Sequence, residues 1–150
     1  MRSLKILAPL AGLLVSTAAF AEGDLTRNNP IEVVLEMGTT EDGEHMYFKP
    51  EHLEFETGKA YKLVLKNLDD QKHEFESHSM VERIFTRKVE IENDDGLVAE
   101  IKGNIREIEV GPHQQVDWYF VPLQPGDLLE STCAIEGHVE AGMHGTLTIR

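Results

Sequence analysis

Cys133 is the single cysteine of the 150-residue chain, and it opens "CAIEGHVEAGMHG" (133–145), where His138 follows by five residues and Met143 by ten. A lone thiol can be a small apolar group in a core, a nucleophile or a metal ligand. The spacing Cys-x4-His-x4-Met points to the third, because one bent connection can turn a thiolate, an imidazole and a thioether toward a single point. These donors suit a thiophilic or borderline metal, copper above all. A second imidazole is needed, and "VLKNLDDQKHEF" offers His73, six residues after Asn67. Two histidines and a cysteine with a long axial methionine form the blue-copper arrangement. A metal-bound thiolate needs no disulfide partner. The rival reading, Cys133 as a nucleophile activated by a histidine, leaves Met143 without a role.

Elements able to hold such a site are legible around it. "IEVVLEM" (31–37), "HLEFET" (52–57), "YKLVLKN" (61–67), "RKVEIE" (87–92), "LVAEIK" (97–102), "IREIEV" (105–110), "VDWYFV" (116–121) and "TLTIR" (146–150) mostly alternate apolar and polar residues. A period of two marks a strand with one buried face. "LLESTC" reads as a strand ending at Cys133, so 134–144 becomes the connection to the final strand. Gly137, Gly142 and Gly145 let that connection bend and pack closely. Turn residues fill the other gaps, as in "NDDG" (93–96), "KGN" (102–104) and "QPGD" (124–127). The expectation is an all-β antiparallel sandwich or barrel, with at most one short helix near 79–85. Trp118, Tyr119 and Phe120, with Phe55, Leu63 and Leu65, belong to the core or its edge.

The first 21 residues read as a secretory leader. Arg2 and Lys5 precede the uncharged run "ILAPLAGLLVSTAAF", and "AFA" ends it with small residues around a cleavage point after Ala21. That run is shorter than the ~20 apolar residues a membrane span needs. Residues 22–150 then form one domain of ordinary size, expected in the periplasm and not inserted in the membrane. The chain has 14 basic and 27 acidic residues, so losing Arg2 and Lys5 moves the net charge from −13 to −15. Nucleic acid is excluded as a partner, since it demands clustered positive charge. A basic protein or a metal cation fits better.

Other residues tempt less. His45-Met46 and His78-x-Met80, with His144 after Met143, could build a second, more open copper or iron site; ordinary surface or partly buried side chains are the plainer reading. His113 sits in a turn and receives no role. "IENDDG" (91–96) lacks the spacing and distal Glu of a calcium loop and reads as a solvated turn.

The segments "KN…HEF" and "C…GH…AGM.G.L.I" resemble those of cupredoxins, the small blue copper proteins, over most of residues 31–150. The similarity is greatest to periplasmic single-domain members associated with ferrous-iron uptake systems. The resemblance implies a Greek-key β-sandwich and one type 1 copper ion held by His73, Cys133, His138 and Met143. Two departures accompany it: Glu74 stands where an Asn often follows the first histidine, and Ala134 follows the cysteine. Residues 78–110 are also longer and more acidic than a minimal cupredoxin requires. The expected function is single-electron transfer to or from a basic redox partner, without enzymatic turnover beyond weak Fe(II) oxidation. The alternatives are an accessory working with a periplasmic metal-uptake component, which oxidises or hands on iron, and a copper carrier.

Overall fold

A computed structural model describes residues 29–150; the leader read over 1–21 and its cleavage point lie outside the described residues. Eleven strands and one helical turn follow in order. They are β1 (Ile31–Thr39), β2 (Met46–Lys49), β3 (His52–Phe55), β4 (Tyr61–Asn67), β5 (His73–Glu76), α1 (His78–Val81), β6 (Ile84–Asn93), β7 (Gly96–Ile101), β8 (Glu107–Val110), β9 (Gln115–Pro122), β10 (Gly126–Thr132) and β11 (His144–Ile149). One sheet runs β2-β1-β4-β9-β6-β7 and the other β3-β11-β10-β5-β8. Most neighbours are antiparallel, but β1 pairs parallel with β4, and β11 with β3. The chain therefore crosses between sheets repeatedly, as the expected all-β sandwich does.

The core lies between the sheets. From the first come Leu35, Met37, Leu63, Leu65, Trp118 and Phe120; from the second come Leu53, Phe55, Phe75, Leu147 and Ile149. Aromatic edges join the layers: Phe55 meets Phe120 at 5.1 Å and 81°, and Phe75 meets Trp118 at 6.4 Å and 76°. These tilted geometries place the positive ring edge against a neighbouring face. The Trp118 indole N–H is satisfied by Thr86 Oγ1 at 3.1 Å. Of the aromatic triplet, Tyr119 alone is half-exposed, since it faces the outer side of β9.

Local reading and tertiary pairing differ at three places. The helix expected over 79–85 is a single turn, because Ile84 and Phe85 pair with Pro122 and Val121 and so open β6 early. The strand expected to end at Cys133 stops at Thr132, the last residue paired with β11, at His144. β2 escapes the period-of-two reading because its residues Met46, Tyr47, Phe48 and Lys49 do not alternate between buried and exposed.

Phe75 is fully buried and packs on both Phe48 (5.8 Å) and Trp118. Phe75→Ala should therefore lower stability by about 3–5 kcal/mol, the usual cost of removing a core aromatic. Chemical denaturation of the metal-free protein measures it.

Candidate metal centre

β4 and β5 are joined by 68–72, and β10 and β11 by 133–143. The two connections meet at one end of the sandwich and bring three ligand atoms together. His73, Cys133 and His138 are buried, and their ligand atoms all lie within 4.8 Å of one another. Cys133 Sγ is 3.2 Å from His138 Nδ1, which is 3.3 Å from His73 Nδ1. Met143 is fully buried in the same core. Its carbonyl accepts the Cys133 N–H at 3.1 Å, and its own N–H donates to the His138 carbonyl at 2.9 Å. The 133–143 loop is thus closed on itself by the backbone at the positions of three of the four expected ligands.

The orientation of His73 is set from behind. Its Nε2 lies 2.7 Å from Asp69 Oδ2, so the N–H sits on Nε2 and Nδ1 keeps its lone pair toward the other two donors. Asp69 is itself held by the Thr39 N–H (3.0 Å) and hydroxyl (2.6 Å). Although burial works against it, the Thr39 and His73 hydrogen bonds keep the Asp69 carboxyl below the usual carboxylate range. Asn67, buried at the end of β4, ties down the connection. Its amide donates to the carbonyls of Gln71 (2.7 Å), Val110 (2.9 Å) and Gly111 (3.0 Å), and its Oδ1 accepts the Asp69 N–H (2.9 Å). The sequence marked Asn67 through its spacing from His73 but gave Asp69 no role. Its position four residues before a candidate ligand histidine was the available signal.

No protein-family model matches the sequence, and no curated protein matches it. Solved structures do match in fold. A multicopper oxidase from Campylobacter jejuni superposes with a TM-score of 0.56 at 17% identity, over 81% of this chain and 30% of that one. A copper nitrite reductase from Nitrosomonas europaea gives 0.62 at 9% identity, over 87% and 52%. Fet3p, a multicopper oxidase that functions in iron import, gives 0.60 at 15%, over 96% and 37%. The fold is that of a cupredoxin. This chain spans between about a third and a half of the length of those proteins.

Where the cupredoxin pattern often has Asn, Glu74 donates its backbone N–H to Cys133 Sγ at 3.2 Å. The peptide makes that contact, so it does not depend on the side chain at position 74. Burial pushes the Cys133 thiol above its ordinary pKa, while the N–H groups of Glu74 and Ile135 oppose the rise. His138 is held below its ordinary pKa by burial first and by His73 second, which keeps its imidazole neutral and able to bind a cation. It is also the one member of the four with any exposure, 8% against 0% for His73, Cys133 and Met143. Around it on the loop stand Ile135 and Ala141, half-buried, and Val139, 40% exposed. Gly142 adopts φ +105°, and a Cβ there would stand 3.0 Å from the Met46 carbonyl; the Met46 N–H in turn bonds Ala141 O at 2.8 Å. The start of β2 therefore braces the 133–143 loop.

Of the residues weighed for a second site, Met46 lies against the 141–142 backbone beside Met143, whereas the others take separate places. Met80 is fully buried in the core, and His78 is exposed beside Glu76 Oε1 at 2.9 Å. His45 and His144 are exposed, and His144 opens β11 on the side away from buried Met143. His113 pairs with Asp70 at 2.8 Å. Asp94 and Asp95 form an exposed turn in which the Asp95 N–H bonds Asn93 Oδ1 at 2.9 Å. Among the described residues, His73, Cys133 and His138 form the one group of three or more His, Cys, Asp or Glu spaced to hold a metal ion.

Asp69 and His138 both sit below their ordinary pKa. Each therefore contributes stability that is complete above its unfolded value and is lost as the pH falls through the folded one. For the metal-free protein, the denaturation midpoint should drop first below about pH 6.5 and again below about pH 3.9. His138→Gln should flatten the first step and Asp69→Asn should shrink the second.

Proposed function

We propose that this cupredoxin holds one type 1 copper ion through His73, Cys133, His138 and Met143, and transfers single electrons. The observation that carries the reading is the convergence of two imidazole nitrogens and a thiol sulfur within 4.8 Å. A copper ion in that donor set supplies a one-electron Cu(II)/Cu(I) couple. The chain supplies the rest. The Glu74 N–H is aimed at the sulfur and favours thiolate over thiol. Asp69 and Thr39 hold the His73 tautomer, and the backbone bonds among Cys133, His138 and Met143 resist rearrangement between the two oxidation states. Copper-containing relatives in fold support the metal, and the leader over 1–21 supports a periplasmic location.

His138, with its slight exposure and the apolar Ile135, Val139 and Ala141 around it, is the point of exchange with a partner. Electron-transfer encounters are small, below ~1,200 Å² in total. A net charge of −13 favours a basic partner and makes the association rate fall with salt. When the protein is titrated with Cu(II), an intense visible thiolate-to-copper band should grow and saturate at one equivalent. Cys133→Ser should abolish it, and Met143→Leu should keep the band but shift the reduction potential upward. Colourless binding, or a band indifferent to Cys133, would overturn the assignment.

A second reading, an accessory in periplasmic ferrous-iron uptake, is favoured by Asp69, whose carboxylate reaches to 2.7 Å from a ligand histidine. Exposed Glu41, Asp42 and Glu44 follow its partner Thr39 directly in the chain. Here Fe(II) is the substrate, and Asp69 links the acidic rim to His73. The Cu(II)-loaded protein should then oxidise Fe(II) with saturation as its copper is reduced to Cu(I), and Asp69→Asn should slow that reaction about tenfold while leaving the visible band in place, since it removes the negative charge behind His73. Equal rates in the two proteins would leave the electron-shuttle reading alone.

A further inference from the structure

β5 lies between β10 and β8, and its residues alternate. His73 and Phe75 are buried, whereas Glu74 and Glu76 stand half-buried on the outer face. Pairing with β8 sets Glu74 directly opposite Glu109 and Glu76 opposite Glu107. Like charges in cross-strand positions destabilise a sheet. Two of these four carboxylates are answered: Lys72 Nζ closes on Glu109 Oε2 at 2.7 Å, and His78 Nδ1 lies 2.9 Å from Glu76 Oε1. Glu107 is exposed to solvent. Glu74 has neither remedy. Among the described residues its carboxylate takes no hydrogen bond or ion pair, and burial first, then Glu107 and Glu109, push its pKa up against the pull of Lys72.

The residue carrying that unanswered charge also donates its backbone N–H to Cys133 Sγ at 3.2 Å. After burial, the charges of Glu74 and Glu109 are what raise the Cys133 thiol above its ordinary pKa. The carboxylate is therefore felt at the sulfur, and it costs the metal-free chain stability. A positive centre at Cys133 would reverse that balance.

We infer, on the copper reading proposed above, that the Glu74 carboxylate sets the charge balance of the centre, favouring Cu(II) over Cu(I) and so lowering the reduction potential. With the Cys133 thiolate, a Cu(II) centre carries one net positive charge and a Cu(I) centre carries none. A nearby anion attracts the first and leaves the second almost unaffected. Glu109 contributes less, because Lys72 pairs with it. The backbone contact to sulfur is common to any residue at position 74; the charge belongs to glutamate.

Glu74→Gln keeps the shape and the N–H and removes only the charge. The metal-free variant should unfold at a higher denaturant concentration than wild type, since the repulsion from Glu109 is relieved. Chelator competition should show it binding Cu(II) about fivefold more weakly, the size expected of one partly exposed charge pair, and Cu(I) with unchanged affinity. That difference raises the reduction potential by about 40 mV, at 59 mV per tenfold for one electron. Lys72→Gln should move the potential the other way, Glu74→Asp should stay near wild type, and the visible band should persist in all three. An intact band with equal potentials in wild type and Glu74→Gln would overturn the inference and leave the copper reading standing. Shifts of the same sign in Glu74→Gln and Lys72→Gln would trace the effect to structure instead of charge and overturn it equally. A wild-type protein without the thiolate-to-copper band would overturn the copper reading, and the role of Glu74 with it.

Discussion

Everything at the business end of this protein depends on keeping polar donor atoms inside an apolar core. His73, Cys133 and Met143 are fully buried, and burying a polar group without a partner costs several kcal/mol. The structure meets that constraint for His73 and Cys133 by giving each a fixed contact on the side away from its neighbours. Asp69 takes the Nε2–H of His73, and the Glu74 N–H reaches Cys133 Sγ. No buried side-chain nitrogen or oxygen among the described residues lacks a partner. His73 Nδ1 and Cys133 Sγ both face His138 Nδ1, at 3.3 and 3.2 Å. The donor set is thus prepared by the polypeptide before any cation arrives.

The supports are themselves products of the fold. Thr39 ends β1, Asn67 ends β4 and Gly111 follows β8. They come from three strands in both sheets, and they meet because the strand ends lie at one edge of the sandwich. Asn67 joins that edge with four hydrogen bonds from one amide group. A rigid rim of this kind would suit the electron transfer proposed for the site, whose ligands should not move when an electron arrives. The apolar Phe48–Phe75–Trp118 contacts beneath it carry the same rigidity into the core.

The donor residues could be found from types and spacing because three of them sit in one short loop. Cys133, His138 and Met143 are close in sequence, so their convergence needs only a bent connection. His73 could be nominated but not placed, since nothing local brings β5 beside β10; that took the Thr132–Glu76 pairing. Asp69 was passed over for a related reason. An acid four residues before a histidine is common, and its value arises only when Thr39, 30 residues earlier, fixes the carboxylate in place. Glu74 in place of Asn leaves the contact to Cys133 Sγ intact, because the backbone makes it and its N–H does not depend on residue type.

Alternation of apolar and polar residues was enough to determine that the chain is all-β, because side chains in a strand must point to opposite faces and one face must be buried. The same physics set the ligand loop, since the glycines and the Cys-x4-His-x4-Met spacing are local properties. Tertiary structure alone decided where strands begin and end, as at Ile84 and Thr132, because hydrogen-bond pairing with β9 and β11 outweighs weak local preference. It also decided which strands lie at the edges, β2 and β7 of one sheet and β3 and β8 of the other. Sheet order, unlike strand pattern, depends on contacts between residues far apart in the chain, and composition and periodicity do not encode those contacts.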